Sequence, residues 1–211
     1  MSDIFDLSLR EVITQSASSS PTPGGGSVSA IAASFGAAMV AMVGNLTTGK
    51  EKFKEVEPQV QEQLQKLQGI LSRLESLVRA DIEAFDAYMA VFKMPKDTEE
   101  QKAARAQAMQ VAAKNATNVP LTIGETCLEA LASAVELAVV GNKMAISDVG
   151  VGAYLAEAAL KGALLNVDIN LPAIKDETFV AESAARRDRL IEQALALRDT
   201  AVAEVLKRIR G

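Results

Sequence analysis

The sequence predicts an all-α bundle of about six to eight helices with one long central amphipathic helix. Three observations carry this. Strand-like alternation of apolar and polar residues is scarce, while Ala, Leu, Glu, Gln and Lys dominate. An apolar seam at steps of four and three runs unbroken from Val60 to Phe92. Capping boxes, a Ser or Thr followed three residues later by Glu or Gln, stand ahead of two helical stretches, at Ser8 with Glu11 and at Thr98 with Gln101.

The first helix opens at Ser8 and is expected to bury Leu9, Val12 and Ile13. In SASSSPTPGGGS, which follows, Pro21, Pro23 and Gly24 to Gly26 are read as forbidding regular helix and permitting backbone conformations closed to other residues. A second helix is expected from Ser27 to Thr48, stopped by Gly49. No charge occurs between Val12 and Gly49, so length alone would permit a membrane span. Ser29, Ser34, Gly36, Gly44 and Asn45, with no basic flank on the N-terminal side, point instead to a buried central helix whose small residues admit close neighbours. The third helix carries Val60, Leu64, Leu67, Leu71, Leu74, Val78, Ile82, Phe85, Met89 and Phe92, about 50 Å of helix at roughly 1.5 Å per residue. A loop at MPKDT ends it. The helix opened by Thr98 is expected to reach Asn118, with Pro120 kinking or ending it. A further stretch with Leu128, Leu131, Val135 and Ala138 stops at Gly141 and Asn142. Ser147 or Asp148 should cap the next helix, with Val151, Leu155, Ala158 and Leu165 as its apolar face. After a bend at NVDINLPAIKD, Asp176 caps a terminal helix whose seam is Ile191, Leu195, Val202, Val205 and Ile209.

At 211 residues and 49% hydrophobic the chain can bury a real core, and one domain over residues 1–211 is expected. With 27 acidic and 22 basic residues the net charge is -5, which lacks the basic excess that nucleic-acid binding requires. The N-terminal MSDIFDLSLR has no basic segment leading into an apolar one, so no leader peptide is expected. The one cysteine, Cys127, permits no intrachain disulfide; it fits a core position and a reducing cytoplasm. Histidine is absent, which excludes a Ser-His triad and an H-E-x-x-H zinc site. Any acid or base must then be Asp, Glu, Lys, Tyr or Cys, with its pKa moved by burial or a neighbour.

Four segments could carry chemistry. GNLTTGKE, Gly44 to Glu51, has the glycine spacing and the lysine of a P-loop, but Glu51 stands where a Ser or Thr must bind magnesium, and the string ends a helix rather than linking a strand to one. PTPGGGS precedes a helix, so it is either a binding loop presenting backbone N–H groups or a plain turn with Ser27 as N-cap. Asp81 interrupts a second stripe on the third helix, Ile70, Leu74, Leu77, then 81, Ala84 and Tyr88, where an apolar residue is expected. It is either an acid-base group with a raised pKa or structural glue bonded to a lysine or a helix end. Glu83 and Asp86 beside it are expected near solvent. GNKMAISD, Gly141 to Asp148, is explained equally well by two helix caps.

These segments resemble the formiminotetrahydrofolate cyclodeaminase and methenyltetrahydrofolate cyclohydrolase family. The resemblance rests on an ordered set spanning residues 23 to 176: PGGGS, GNLTTGK, ADIEAF at Ala80 to Phe85, Pro95 with Lys96, VPL at Val119 to Leu121, GNKMAISD, and NVDINL at Asn166 to Leu171. It implies an all-α homodimer that forms or opens the 5,10-methenyl bridge of tetrahydrofolate, without the formiminotransferase domain that precedes this unit in some members. It places the catalytic aspartate at Asp81 and makes Gly24, Gly25, Gly26, Ser27, Lys50, Asn142, Asp148 and Asn170 pocket residues. The substrate it implies is a tetrahydrofolate derivative, with or without a polyglutamate tail, with no metal, no other cofactor, no nucleic acid and no membrane. Two readings from other classes stand beside it: a non-catalytic helical scaffold or ligand-binding protein, and a hydrolase using Ser27 with Lys50.

Overall fold

The computed structural model describes residues 3–211; Met1 and Ser2, the start of the segment read above as carrying no leader, lie outside the described residues. Among the described residues there are six α-helices and no strand: α1 (Leu9–Ser16), α2 (Gly25–Asn45), α3 (Glu57–Val91), α4 (Glu99–Val140), α5 (Ile146–Asn170) and α6 (Glu177–Arg210). Single turns of 3-10 helix lie at Ile4–Asp6, Glu51–Phe53, Lys143–Ala145 and Leu171–Ala173.

Three helix starts follow local chemistry, those of α1, α4 and α6. Ser8 Oγ accepts the Glu11 N–H at 3.3 Å while the Glu11 carboxylate accepts the Ser8 N–H at 2.8 Å, and Thr98 with Gln101 repeats the arrangement. Asp176 caps α6 by accepting the Phe179 N–H at 3.1 Å. Each satisfies donors that a helix leaves unpaired in its first turn.

Buried faces depart further from expectation. α1 buries nothing: Leu9 and Ile13 are 59% and 60% exposed, because the helix lies on the surface of the bundle with Val12 half-buried. α3 turns Val60, Leu67, Ile70, Leu74, Val78 and Ala84 inward, a face between the two stripes read from the sequence, which leaves Met89 and Phe92 in solvent. In α5 the inward face is Val149, Ala153, Ala156, Leu160, Leu164 and Val167; Val151 and Leu165 of the expected seam point outward. α6 keeps Val202 and Val205 inside and exposes Leu195 and Ile209.

The long helix α3 packs on α2 and α4 only at one side of the bundle, and the helix that meets α2, α3, α5 and α6 is α4. α4 also absorbs two expected helices. Pro120 lies inside it and does not end it, because the acceptor that proline leaves unpaired, the carbonyl four residues earlier at Ala116, receives the Asn170 side-chain amide at 2.8 Å. α5 likewise continues through NVDIN, where a bend was expected, and ends at Asn170.

α2 is long and apolar enough, by length and composition, to cross a membrane, with a mean hydropathy of 1.7. In the bundle it packs between α3 and α5, burying Ala30, Ala33, Ala37, Val40 and Val43. It stops at Asn45, four residues before Gly49, whose φ of 72° closes the turn in the left-handed region. α2 and α5 touch backbone to backbone at Gly36 and Gly152, where a Cβ on Gly152 would sit 2.6 Å from the Gly36 carbonyl oxygen. Cys127 is fully buried, and burial pushes its thiol up to about 12, which leaves it a core residue rather than a nucleophile.

Gly152→Ala should therefore destabilise the fold by about 1–3 kcal/mol, since the clash is with a backbone atom that cannot rotate away. Gly69→Ala, at an exposed helical position with nothing within 4 Å of the new Cβ, should stabilise it by about 0.5–1 kcal/mol. Denaturant midpoints read both, and matching shifts in the two variants would contradict the close-approach argument.

Candidate active site

Three elements converge where α2 begins. The turn ending at Gly24 delivers α2, Asp81 projects from α3, and Asn166 and Asn170 come from the last turns of α5. Between them lies a cavity of about 400 Å3, walled on the α3 side by Phe85, Tyr88 and Met89.

Asp81 is joined to the start of α2. Its Oδ2 accepts the Ser27 N–H at 2.7 Å, and Ser27 is the third residue of that helix, so a side chain from α3 does the work of an N-cap that Gly24 has no side chain to do. Ser27 Oγ, fully buried, donates to the Gly24 carbonyl at 3.2 Å. None of the three glycines has an unusual dihedral, because among the described residues positive φ occurs only at Gly49 and Gly211, and Gly26 owes its place to close approach. A Cβ on Gly26 would lie 2.1 Å from Asp81 Oδ1. Nor do Gly25 and Gly26 break the helix, as the sequence reading expected; they form its first turn, because glycine dihedrals reach the helical region as readily as any other.

Burial raises the Asp81 carboxyl above its ordinary value, and the Ser27 N–H and hydroxyl pull it back down by favouring the charged form. The outcome is a carboxyl that holds its proton more readily than a free aspartate while keeping a fixed orientation. That combination suits a group that must both take and give a proton. Glu83 and Asp86 are exposed, as expected.

The expected site residues divide into two sets. Gly24, Gly25, Gly26, Asp81 and Asn170 line the cavity, and Ser27 stands behind it through its backbone. Lys50, Asn142 and Asp148 gather at the opposite end of α2, a helix of 21 residues and so about 30 Å long. Lys50 Nζ donates to the Leu46 carbonyl at 2.5 Å. Buried Asn142 donates its N–H to Thr47 Oγ1 at 2.8 Å and its side-chain amide to the Leu46 carbonyl at 3.1 Å, tying α4 to the end of α2. Asp148 is half-buried in the first turn of α5, where neither it nor Ser147 forms the expected cap. Within one chain these three cannot share a ligand with Asp81. The pairing of Ser27 with Lys50 fails for the same reason, so the serine hydrolase reading is set aside.

Among the lining residues that the sequence did not point to are Phe85, Tyr88, Met89 and Asn166. Phe85 and Met89 were taken as core, Tyr88 as part of the second stripe, and Asn166 went unremarked inside NVDINL. Its signal was spacing: Asn166 and Asn170 are four residues apart, on one face of a helix, once α5 is carried through that segment. Asn166 donates its side-chain amide to the carbonyls of Gly162 and Ala163 at 3.2 and 3.3 Å and flanks Gly25.

The raised pKa of Asp81 has a sign in stability. A carboxyl that binds its proton more tightly when folded contributes most below the unfolded pKa, and that contribution is lost as pH rises through the folded pKa. Asp81→Asn keeps an oxygen acceptor for the Ser27 N–H and carries no charge. Its melting temperature should gain on the native protein as pH rises from acid to neutral. A gap that moves the other way would make the ionised carboxylate a net stabilising cap.

The family described as formiminotransferase-cyclodeaminase matches residues 8–189. A methenyltetrahydrofolate cyclohydrolase of Methylorubrum extorquens is 44% identical over 183 residues, covering 87% of this chain and 88% of that protein. The formimidoyltransferase-cyclodeaminase of Sus scrofa is 37% identical over 203 residues, and this chain spans 37% of its length. The crystal structure of formiminotetrahydrofolate cyclodeaminase from Thermotoga maritima superposes with a TM-score of 0.87 at 28% identity, covering 97% of this chain and 98% of that one. With its sequence matched over most of its length and its fold matched throughout, the chain belongs to the formiminotransferase-cyclodeaminase family.

Proposed function

We propose that this chain is a folate one-carbon enzyme that forms or opens the 5,10-methenyl bridge of tetrahydrofolate, with Asp81 as its acid-base. The observation that carries the reading is a single oriented carboxyl of raised proton affinity facing a cavity with an aromatic and thioether wall. The 44% identity to a cyclohydrolase over nearly the full length of both proteins supports placing hydrolysis first among the two reactions.

In hydrolysis, Asp81 takes a proton from the water that attacks the methenyl carbon and gives it to the ring nitrogen released when the C–N bond breaks. The proton of the new hydroxyl leaves to solvent as the formyl C=O forms and carries off the positive charge of the substrate. In cyclodeamination, N10 attacks the formimino carbon, Asp81 removes the N10 proton, and the same carboxyl protonates the nitrogen that leaves as ammonia. Both require one group to act as base and then as acid, which a pKa nearer neutrality favours. The carbon is already electrophilic in both substrates, so the proposal needs no metal and no cofactor beyond the folate. The close seat of Gly24 to Gly26 lets the ligand approach the start of α2, and Phe85, Tyr88 and Met89 offer faces to its rings. Lys50 has no part in this site within one chain.

The protein works in the cytoplasm as a homodimer. Phe35 on α2 and Val151, Tyr154, Leu165 and Ile169 on α5 are exposed apolar side chains, and such surface favours a second copy over water.

The decisive assay follows the methenyl chromophore with each folate. Asp81→Asn should lower kcat by about two orders of magnitude or more while folate still raises its melting temperature. Near-native turnover by that variant would remove Asp81 from the chemistry, and a native protein that neither turns over nor gains thermal stability from folates would leave a scaffold. Light scattering at micromolar concentration should return the mass of two chains; a monomer would overturn the dimer.

A further inference from the structure

A second cavity, of about 490 Å3, lies at the tip of the α3–α4 hairpin and is lined by Phe92, Lys96, Lys102, Arg105, Ala106 and Met109. Three of the six are cations, and no carboxylate is among them. Lys102 pairs with Glu99 at 2.8 Å across exposed surface. Arg105 uses Nε to hold the Val91 carbonyl at 3.1 Å, with its guanidinium 5.9 Å from the Phe92 ring centre, and its terminal nitrogens have no partner among the described residues. Lys96 is exposed in the loop, and its ammonium likewise meets no partner among the described residues.

The walls of the two cavities meet along the end of α3. Tyr88, on the wall of the catalytic cavity, packs edge-to-face on Phe92, on the wall of the basic one, with ring centres 5.5 Å apart. Along α3 the chain rises about 16 Å from Asp81 to Phe92 at roughly 1.5 Å per residue. In a tetrahydrofolate, the glutamate lies an aryl ring and one amide beyond N10, roughly 10 Å by ordinary bond lengths. The long side chains of Lys96 and Arg105 cover the remainder.

Resting on the folate reading above, we propose that the hairpin-tip cavity is the carboxylate subsite of the enzyme: Arg105 and Lys96 bind the glutamate carboxylates of the substrate. The ligand then runs along the groove between α3 and α4, its one-carbon end at Asp81, its aryl ring over Tyr88 and Met89, and its acidic end at the tip. Arg105 is preset for this by its bond to Val91, which fixes the guanidinium with its outer edge open to solvent. The tip is open, so additional glutamates would extend outward past Lys96.

The test compares 5,10-methenyltetrahydrofolate with its pteroate analogue, which lacks the glutamate. The native enzyme should show a KM on the order of tenfold higher for the analogue, the scale of a charge-assisted hydrogen bond. Arg105→Gln and Lys96→Gln should each shrink that ratio, mainly by raising KM for the glutamyl substrate. Lys96→Gln changes only an exposed loop side chain, so it keeps the test open if loss of the Val91 bond unsettles the hairpin in Arg105→Gln. Equal KM values for the two compounds in the native enzyme, or a ratio that neither variant alters, would overturn the subsite while leaving the reaction in place. No turnover of either compound would overturn the folate reading and the subsite with it.

Discussion

The bond from the Ser27 N–H to Asp81 organises the functional end of the molecule. It spans two helices, setting where α2 begins relative to α3, and it fixes the one carboxyl on which the proposed chemistry turns. A helix that starts on glycines supplies no capping oxygen of its own, so the first turn of α2 needs an acceptor from elsewhere. The same carboxyl is also partly buried. Structural glue and acid-base group were alternatives in the sequence; in the fold the Ser27 bond serves the first and burial of the same carboxyl creates the conditions for the second.

How much was legible depended on whether the cause was local. Capping boxes at Ser8 and Thr98 and the cap at Asp176 were readable because the partners lie within four residues, and each was found in place. The misfit of Asp81 on its stripe was readable for the same reason, since periodicity alone flags a carboxylate on a half-buried face. Burial of individual faces was not. Ala-rich helices offer several apolar stripes of similar strength, and only packing against particular neighbours selects among them, which is why Val151 and Leu165 turned outward. The role of Gly26 was misread because the constraint is its distance to Asp81, fifty-five residues away in sequence, rather than a local dihedral.

The division of the expected pocket residues has the same origin. A motif shared across a family says that residues matter, not that they meet. Asn142 and Lys50 close the far end of α2 onto α4 and onto Leu46, a joint that holds the helix in place along its length. The Gly36 and Gly152 contact fixes how closely α5 lies against that helix, and so where Asn166 and Asn170 arrive at the other end. Remote packing and the cavity are connected through one rigid rod.

Pro120 changes what the wall of that cavity can offer. The interior of a regular helix is chemically closed to ligands, since each carbonyl is already engaged by the amide four residues on. Here Ala116 and Asn170 both line the cavity, and the Ala116 carbonyl is held by the Asn170 side chain. Removing the Asn170 amide would leave that carbonyl without its donor while leaving the helical turns on either side intact. The proline thereby makes a side chain, rather than helical backbone, the link between the middle of α4 and the end of α5.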